Sequence, residues 1–214
     1  MSKDLISRLN EGPVLCAEGY LFAMERRGYL QAGAFVPEVV LEHPEVVTQL
    51  HREFIRGGSD VVQAFTYYGH REKLRLIGKE KLLEPLQKNA LKIAQDAANE
   101  FPDLDLMVCG DVANTNIYDP DDKQSHVECQ KMYEEQVQWA KEASVDFIVA
   151  ETISWLEEMK IALKTIKDAG LIAVCNFSIK SKDKTRDGYT PGDACKILED
   201  NGADVVGLNC FRGP

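Results

Sequence analysis

The stretch Asn201-Gly202-Ala203-Asp204-Val205-Val206-Gly207-Leu208-Asn209-Cys210 decides the fold of this chain. Its Asn-Gly pair predicts the end of a helix, because glycine readily adopts the left-handed conformation of a C-terminal cap. The apolar, β-branched run that follows predicts a buried strand. Asn209 and Cys210 then stand at the carboxyl end of that strand, which is where β/α proteins place their chemistry.

The same arrangement recurs upstream, with Ala169-Gly170 and Gly58-Ser59-Asp60 each preceding an apolar run. Short apolar runs alternate with longer amphipathic stretches, as in a parallel sheet covered by helices. The predicted strands span residues 13–17, 60–66, 106–110, 147–151, 172–177 and 205–209. The predicted helices span residues 44–56, 79–99, 125–143, 156–169 and 193–201. This order predicts an α/β fold.

Either a (β/α)8 barrel or an open doubly wound sheet produces this alternation. The first βα turn, Glu18-Gly19-Tyr20, lacks a G-x-G-x-x-G loop, and the sequence contains no G-x-x-x-x-G-K-[ST] motif. The barrel is therefore favoured over a nucleotide-binding sheet. About six of the eight β/α units of a barrel are present. We expect residues 1–214 to form a single barrel domain that is cut short after its sixth strand.

Composition favours a small-molecule enzyme. The 214 residues are 44% hydrophobic and 28% charged, and the net charge is −10. Such a charge repels nucleic acid and anionic membranes, so neither is expected as a partner. The N-terminus shows no apolar leader, and no run reaches membrane-spanning length. We expect a cytoplasmic protein.

The six cysteines are not expected to form a disulfide framework without a secretory signal. Those in strand-like runs are by default small buried hydrophobes, and they are Cys16, Cys109, Cys175 and Cys210. Histidines lie on predicted helices or loops without metal-ligand spacing, which favours structural or surface roles for His43, His51, His70 and His126.

Polar residues at the predicted strand ends are the candidates for chemistry. They are Glu18, Gly19, Thr66, Tyr67, Tyr68, Asp111, Asn114, Glu151, Asn176, Ser178, Asn209 and Cys210. Simpler roles remain open for some: Glu18 and Glu151 suit the N-terminus of a following helix, and Asp111 suits loop ordering. Tyr67 and Tyr68 are adjacent, so strand alternation predicts that their side chains point to opposite sides.

Several segments in order carry a resemblance to a known family. They are His43-Pro44-Glu45-Val46-Val47, Leu50-His51-Arg52-Glu53-Phe54, residues 58–68, residues 22–29, Ala150-Glu151 and Gly207-Leu208-Asn209-Cys210. Together they resemble the zinc-dependent homocysteine S-methyltransferases, and among these the betaine-dependent members, over essentially the whole chain. The resemblance implies a (β/α)8 barrel.

The resemblance also implies a Zn²⁺ ion bound by three cysteines. Cys210 matches the first of them, in the G-[VL]-N-C motif, and the other two are expected beyond residue 214. Glu151 matches a glutamate that binds the amino group of homocysteine. The family's Asp-Gly-Gly motif is replaced here by Ala17-Glu18-Gly19, so the acidic residue stands one position later.

Phe35 and Tyr68 match aromatic residues of the methyl-donor pocket, and Asn114 is added as a substrate-binding candidate from its strand-end position. The implied reaction transfers a methyl group from betaine to the zinc-activated thiolate of homocysteine and gives methionine, with no residue acting as acid or base. Phenylalanine attracts a cation less strongly than the tryptophan of familiar betaine enzymes, so S-methylmethionine is the competing donor.

Two other interpretations stay open. The first is a non-catalytic partial barrel that binds homocysteine or pairs with another chain through its open edge, as in a homo-oligomer. The second is a barrel enzyme without zinc that uses Glu18, Asp111 and Glu151. One cysteine cannot complete a zinc site, so the isolated chain is expected to have little or no activity.

Overall fold

The computed structural model describes residues 4–17, 19–30, 36–179 and 183–210. Its helices are α1 (Leu5–Leu9), α2 (Tyr20–Arg26), α3 (Val39–Glu42), α4 (Pro44–Arg56), α5 (Arg71–Leu76), α6 (Leu83–Asn99), α7 (Lys123–Glu142), α8 (Leu156–Asp168) and α9 (Pro191–Asp200). A 3₁₀ turn, Glu80–Leu82, leads into α6. The strands are β1 (Val61–Gln63), β2 (Met107–Ala113), β3 (Phe147–Ile153), β4 (Ile172–Phe177) and β5 (Val205–Leu208).

The strands form a sheet whose order follows the chain, β1-β2-β3-β4-β5. β1 pairs with β2, β3 with β4, and β4 with β5, all in parallel. Consecutive strands are joined by helices, as parallel pairing requires. The parallel βα order confirms the predicted α/β class.

The described residues divide into two compact units, one covering positions up to 111 together with 142–146, and one covering 112–141 and 147 onward. In the first unit, α4 packs against α6. Proline suits the first position of α4, where no backbone N–H is required, and α4 buries Val47, Leu50 and Ile55 on one face. The expectation of a single barrel domain stays a prediction.

In the second unit, α8 packs on β3 and β4. Nearly every residue of β3 and most of β4 are buried, as expected for parallel strands between helices. Phe147, Ile153 and Phe177 are at most 1% exposed and form the centre of this core with Tyr133 of α7. β5 is only half-buried.

Residues 13–17 do not form the predicted first strand. They make one parallel bridge, between Cys16 and Val61. The physical reason is Asp60, whose carboxylate accepts the Leu15 N–H at 2.8 Å, so a side chain satisfies a donor that a regular ladder would use. Cys16 and Cys210 are exposed, and their interpretation as buried hydrophobes is wrong, whereas Cys109 and Cys175 are buried as expected.

The other strand boundaries differ at their ends. Residues 172–177 form β4 as predicted, whereas β1 is shorter than 60–66 and β3 continues two residues past Glu151. Among the helices that the structure describes, none is long and apolar enough to cross a membrane.

Candidate functional site

The centre of the candidate site is the carboxylate of Glu151, which lies half-buried in β3. Asn209, directly after β5, donates from Nδ2 to Glu151 Oε2 at 2.6 Å and to Thr152 Oγ1 at 3.0 Å. Its Oδ1 accepts the Thr152 N–H at 3.0 Å. Both amide protons and the carbonyl oxygen of Asn209 are thus used, and one side chain holds Glu151 and the backbone beside it.

Thr152 has a backbone φ of 58°, in the left-handed region. This conformation is unusual for a β-branched residue and costs on the order of 1–3 kcal/mol. Two amides hold it from both sides, because Asn114 Nδ2 donates to the Thr152 carbonyl at 3.0 Å. The β3–β4 register shifts between Ala150 and Ile153, as in a β-bulge. A β-bulge changes the direction in which neighbouring side chains point, and Glu151 lies within this irregular part of the strand.

Cys210 follows Asn209 in the left-handed region, with φ 69°, and is exposed. Thiolates are suitable zinc ligands, but a zinc site takes at least three protein ligands. Across the described ranges, no group of three His, Cys, Asp or Glu side chains is arranged to hold a metal ion. These residues therefore supply one candidate ligand and do not form a zinc site by themselves.

The buried cysteines are poor substitutes for the missing ligands. Burial raises the pKa of Cys175 in β4 to about 12, with smaller contributions from nearby charges. Burial likewise raises the pKa of Cys129 in α7 to about 12, and its Sγ lies 3.1 Å from Thr115 Oγ1. Metal ligation needs the thiolate, which these environments disfavour.

Gly19 is the N-cap of α2 and has a φ of 81°. Glycine adopts this conformation without the penalty of a Cβ atom, so a backbone role accounts for the residue. Glu18 and Phe35, the other two candidates of this region, lie outside the described residues.

Tyr68 lies in the turn after β1 with a φ of 58°. Its ring centroid is 4.3 Å from that of Tyr67, and Lys73 Nζ lies 4.1 Å from the Tyr68 centroid. The prediction that the two tyrosines point to opposite sides is wrong, because they lie beyond the strand, where alternation no longer applies.

The remaining polar candidates make contacts that stabilise the fold. Thr66 Oγ1 donates to the Asp111 carbonyl at 2.9 Å, and Asp111 is itself 3% exposed within β2. His51 is fully buried, with Nδ1 3.0 Å from the Tyr20 hydroxyl, and burial lowers its pKa to about 4. His70 caps α5.

Asn209 was not among the predicted substrate-binding residues, although it was noted at a strand end. Its position in the Gly-Leu-Asn-Cys segment was the available signal. The segment does not show that this amide reaches a carboxylate 58 residues earlier.

A family model described as Homocysteine S-methyltransferase matches residues 19–214. This chain belongs to the homocysteine S-methyltransferase family. Betaine–homocysteine S-methyltransferase 1 of Sus scrofa is 36% identical over 99% of this chain and 76% of that protein. The Mus musculus protein of the same name is 36% identical over 99% of this chain, and the chain spans 52% of its length. The chain thus spans about half of several curated relatives that it matches.

Among solved structures, the chain is similar to the homocysteine methyltransferase MmuM from Escherichia coli in its metallated form. The TM-score is 0.80 at 19% identity, covering 95% of this chain and 77% of that chain. At this identity the likeness shows the fold, and it confirms the predicted (β/α) barrel type.

Proposed function

We propose that this chain takes part in the transfer of a methyl group from betaine, or from a related onium compound, to the sulfur of homocysteine, which forms methionine. The observation that carries the proposal is the Glu151 carboxylate of β3, which is held by Asn209. Family membership and the names of the relatives support the reaction class.

Glu151 would bind the ammonium group of homocysteine. A carboxylate accepts about four hydrogen bonds, and the Asn209 amide provides one of them at 2.6 Å. A charge-assisted bond to an ammonium group is shorter and stronger than a neutral one. Glu151 is therefore an orienting anchor, which holds the sulfur in line with the methyl group rather than accepting a proton.

The homocysteine thiol must lose its proton before it attacks. With a cysteine-like pKa near 8.5, only about 3% is ionised at pH 7. Zinc is the proposed cofactor, and a zinc-bound thiol is held as the thiolate. Cys210 is the candidate ligand of this chain, and the metallated form of MmuM supports a metal in the family. The described residues supply one candidate zinc ligand, so we do not assign the deprotonation of the homocysteine thiol to any of them.

Aromatic rings are the proposed recognition elements for the donor. The quaternary ammonium or sulfonium centre of the donor offers no hydrogen bond, whereas an aromatic face attracts its charge by about 1–2 kcal/mol when desolvated. The Tyr68 ring already attracts a cation, Lys73, with Nζ 4.1 Å from the centroid. An onium donor on this face would compete with Lys73. Phe35 is the second proposed aromatic contact.

The test combines binding and turnover on the purified chain supplied with zinc. Homocysteine affinity is measured by calorimetry, and methionine formation is measured with betaine and with S-methylmethionine as separate donors. Glu151→Gln is expected to weaken homocysteine binding by about 10- to 150-fold, the loss of one hydrogen bond to a charged group. Glu157→Gln is the matched control, because Glu157 is exposed and pairs with Lys160 at 3.0 Å.

Equal affinities in the two variants would contradict the role of Glu151. Absence of homocysteine binding in the wild-type chain would contradict the proposed function as a whole. Turnover with S-methylmethionine but not with betaine would keep the acceptor and change the donor.

A further inference from the structure

The second unit contains a cavity of about 140 Å³ that the methyl-transfer proposal does not use. Segments after β2 and β3 and the residues before α9 line it, and it includes Tyr118, Ser154, Trp155, Glu158 and Arg186. Asn114 forms part of its wall, but the Asn114 amide is engaged with the Thr152 carbonyl at 3.0 Å.

A buried carboxylate contributes to this cavity. Glu158 of α8 is 3% exposed. Its Oε1 accepts from the Thr115 backbone N–H at 2.7 Å, from Thr115 Oγ1 at 2.7 Å and from the Tyr133 hydroxyl at 3.3 Å. All hydrogen bonds that Glu158 makes within the described chain go to this one oxygen, so Oε2 keeps its capacity to accept.

Aromatic rings form a second part of the lining. The ring centroids of Tyr118 and Trp155 are 5.7 Å apart, and Tyr118 also stacks on His126 at 4.8 Å. Burial, and then the negative charges of Glu157, Asp187 and Glu158, raise the pKa of Tyr118 to about 12. The Tyr118 hydroxyl group therefore lies among negatively charged side chains. Aromatic faces and carboxylates together favour a cationic group.

Arg186 adds a positive charge to the lining. Its backbone N–H donates to the Ser154 carbonyl at 2.8 Å, and its guanidinium carbon lies 5.9 Å from the Trp155 ring centroid. Within the described ranges its side chain makes no salt bridge, unlike the paired Arg27, Arg52 and Arg75. Burial raises the pKa of Glu158 and the nearby charge of Arg186 lowers it, but no described carboxylate holds the guanidinium in a salt bridge. Such a guanidinium group suits a carboxylate ligand, which it binds in a bidentate manner.

We propose that this cavity binds a small zwitterion, with the ammonium group against Glu158 and the aromatic rings and the carboxylate on Arg186. An apolar cavity of about 150 Å³ holds a benzene-sized molecule, so a ligand of about six heavy atoms fits here. Alanine and β-alanine have this size and both charges. Neither Glu151 nor Cys210 lines this cavity, and the inference does not depend on the methyl-transfer proposal.

The experiment titrates alanine into the purified protein and measures binding by calorimetry. Propionate and propylamine, which carry one charge each, are the matched ligands. Alanine is expected to bind with a dissociation constant on the order of 1 mM, and each single-charge ligand at least about fivefold more weakly. Arg186→Gln is expected to weaken alanine binding at least about fivefold. Lys184→Gln removes an exposed cation outside the cavity and is expected to leave binding unchanged.

Equal alanine binding by the wild type and Arg186→Gln would overturn the proposal, as would absence of alanine binding or equal binding of propionate. Glu151→Gln separates this site from the homocysteine site, because it is expected to leave alanine binding intact. If the wild type binds alanine but not homocysteine, the proposed function fails and this site stands.

Discussion

Replacing Asn209 by alanine is the most direct test of how the candidate site is built. The substitution removes three hydrogen bonds, to Glu151 Oε2 at 2.6 Å, to Thr152 Oγ1 at 3.0 Å and from the Thr152 N–H at 3.0 Å. A neutral hydrogen bond contributes about 1 kcal/mol to stability, and a bond to a charged group contributes at least about 1.5 kcal/mol. We use this lower value for the bond to Glu151, because its carboxylate is half-buried. The expected loss in the free energy of unfolding is therefore about 3.5 kcal/mol.

Urea unfolding followed by tryptophan fluorescence measures this loss. Both tryptophans, Trp139 and Trp155, belong to the second unit, so the signal reports the unit that contains Asn209. Asn201→Ala is the matched control, because the Asn201 amide makes a single exposed bond, to the Ile197 carbonyl at 2.7 Å. The control is expected to lose about 0.5–1 kcal/mol.

The same variant tests the function of the network. If Asn209 positions Glu151, Asn209→Ala also weakens homocysteine binding at a temperature where the variant is fully folded. A loss of stability no larger than that of Asn201→Ala would refute the hydrogen-bond reasoning. A large loss of stability with unchanged homocysteine affinity would refute the positioning role.

Three further predictions concern single side chains. Burial raises the pKa of Glu158 above its ordinary value near 4.5, so its contribution to stability is complete below that pH and is lost as the pH rises through the folded-state value. The stability difference between wild type and Glu158→Gln, measured by urea titrations, should therefore shift against the wild type as the pH is raised above 4.5, and a constant difference would contradict this. Where the wild-type protein contains zinc by metal analysis, Cys210→Ala should abolish that binding while Cys129→Ala leaves it unchanged, and equal, non-zero zinc content in both variants would exclude Cys210 as a ligand. Lys73→Met should tighten binding of a quaternary ammonium donor by removing the competing cation over Tyr68, and unchanged affinity would place the donor elsewhere.

Local signals predicted the five longest helices of the described residues well, whereas the short helices α1, α2, α3 and α5 were not predicted. Pro44 and Gly57 mark the ends of α4, and residues 44–56 are helical as predicted. The first predicted strand failed because its apolar run carries no information about Asp60, whose carboxylate takes the Leu15 N–H. A side chain 45 residues away replaced a ladder bond, which no local pattern reveals.

The candidate site, like the fold, could be predicted from the sequence in part. Strand-end position was enough to select Glu151, Asn114 and Cys210. It did not predict that Thr152 takes a left-handed conformation, since a β-branched residue in an apolar run favours regular extended backbone. It also did not predict the side-by-side rings of Tyr67 and Tyr68, because that depends on where β1 ends.

The sequence by itself determined the order of the five longest helices and of the strands β1 to β5, the parallel class and the family, because caps, periodicity and motifs are properties of neighbouring residues. Only the tertiary structure decided that Asn209 meets Glu151 and Thr152 across 58 and 57 positions of the chain. It also decided that Glu158, Tyr118 and Arg186 share one cavity. These contacts depend on how parallel strands and their crossover helices align, and hydrogen bonds tolerate only a few tenths of an ångström in that alignment.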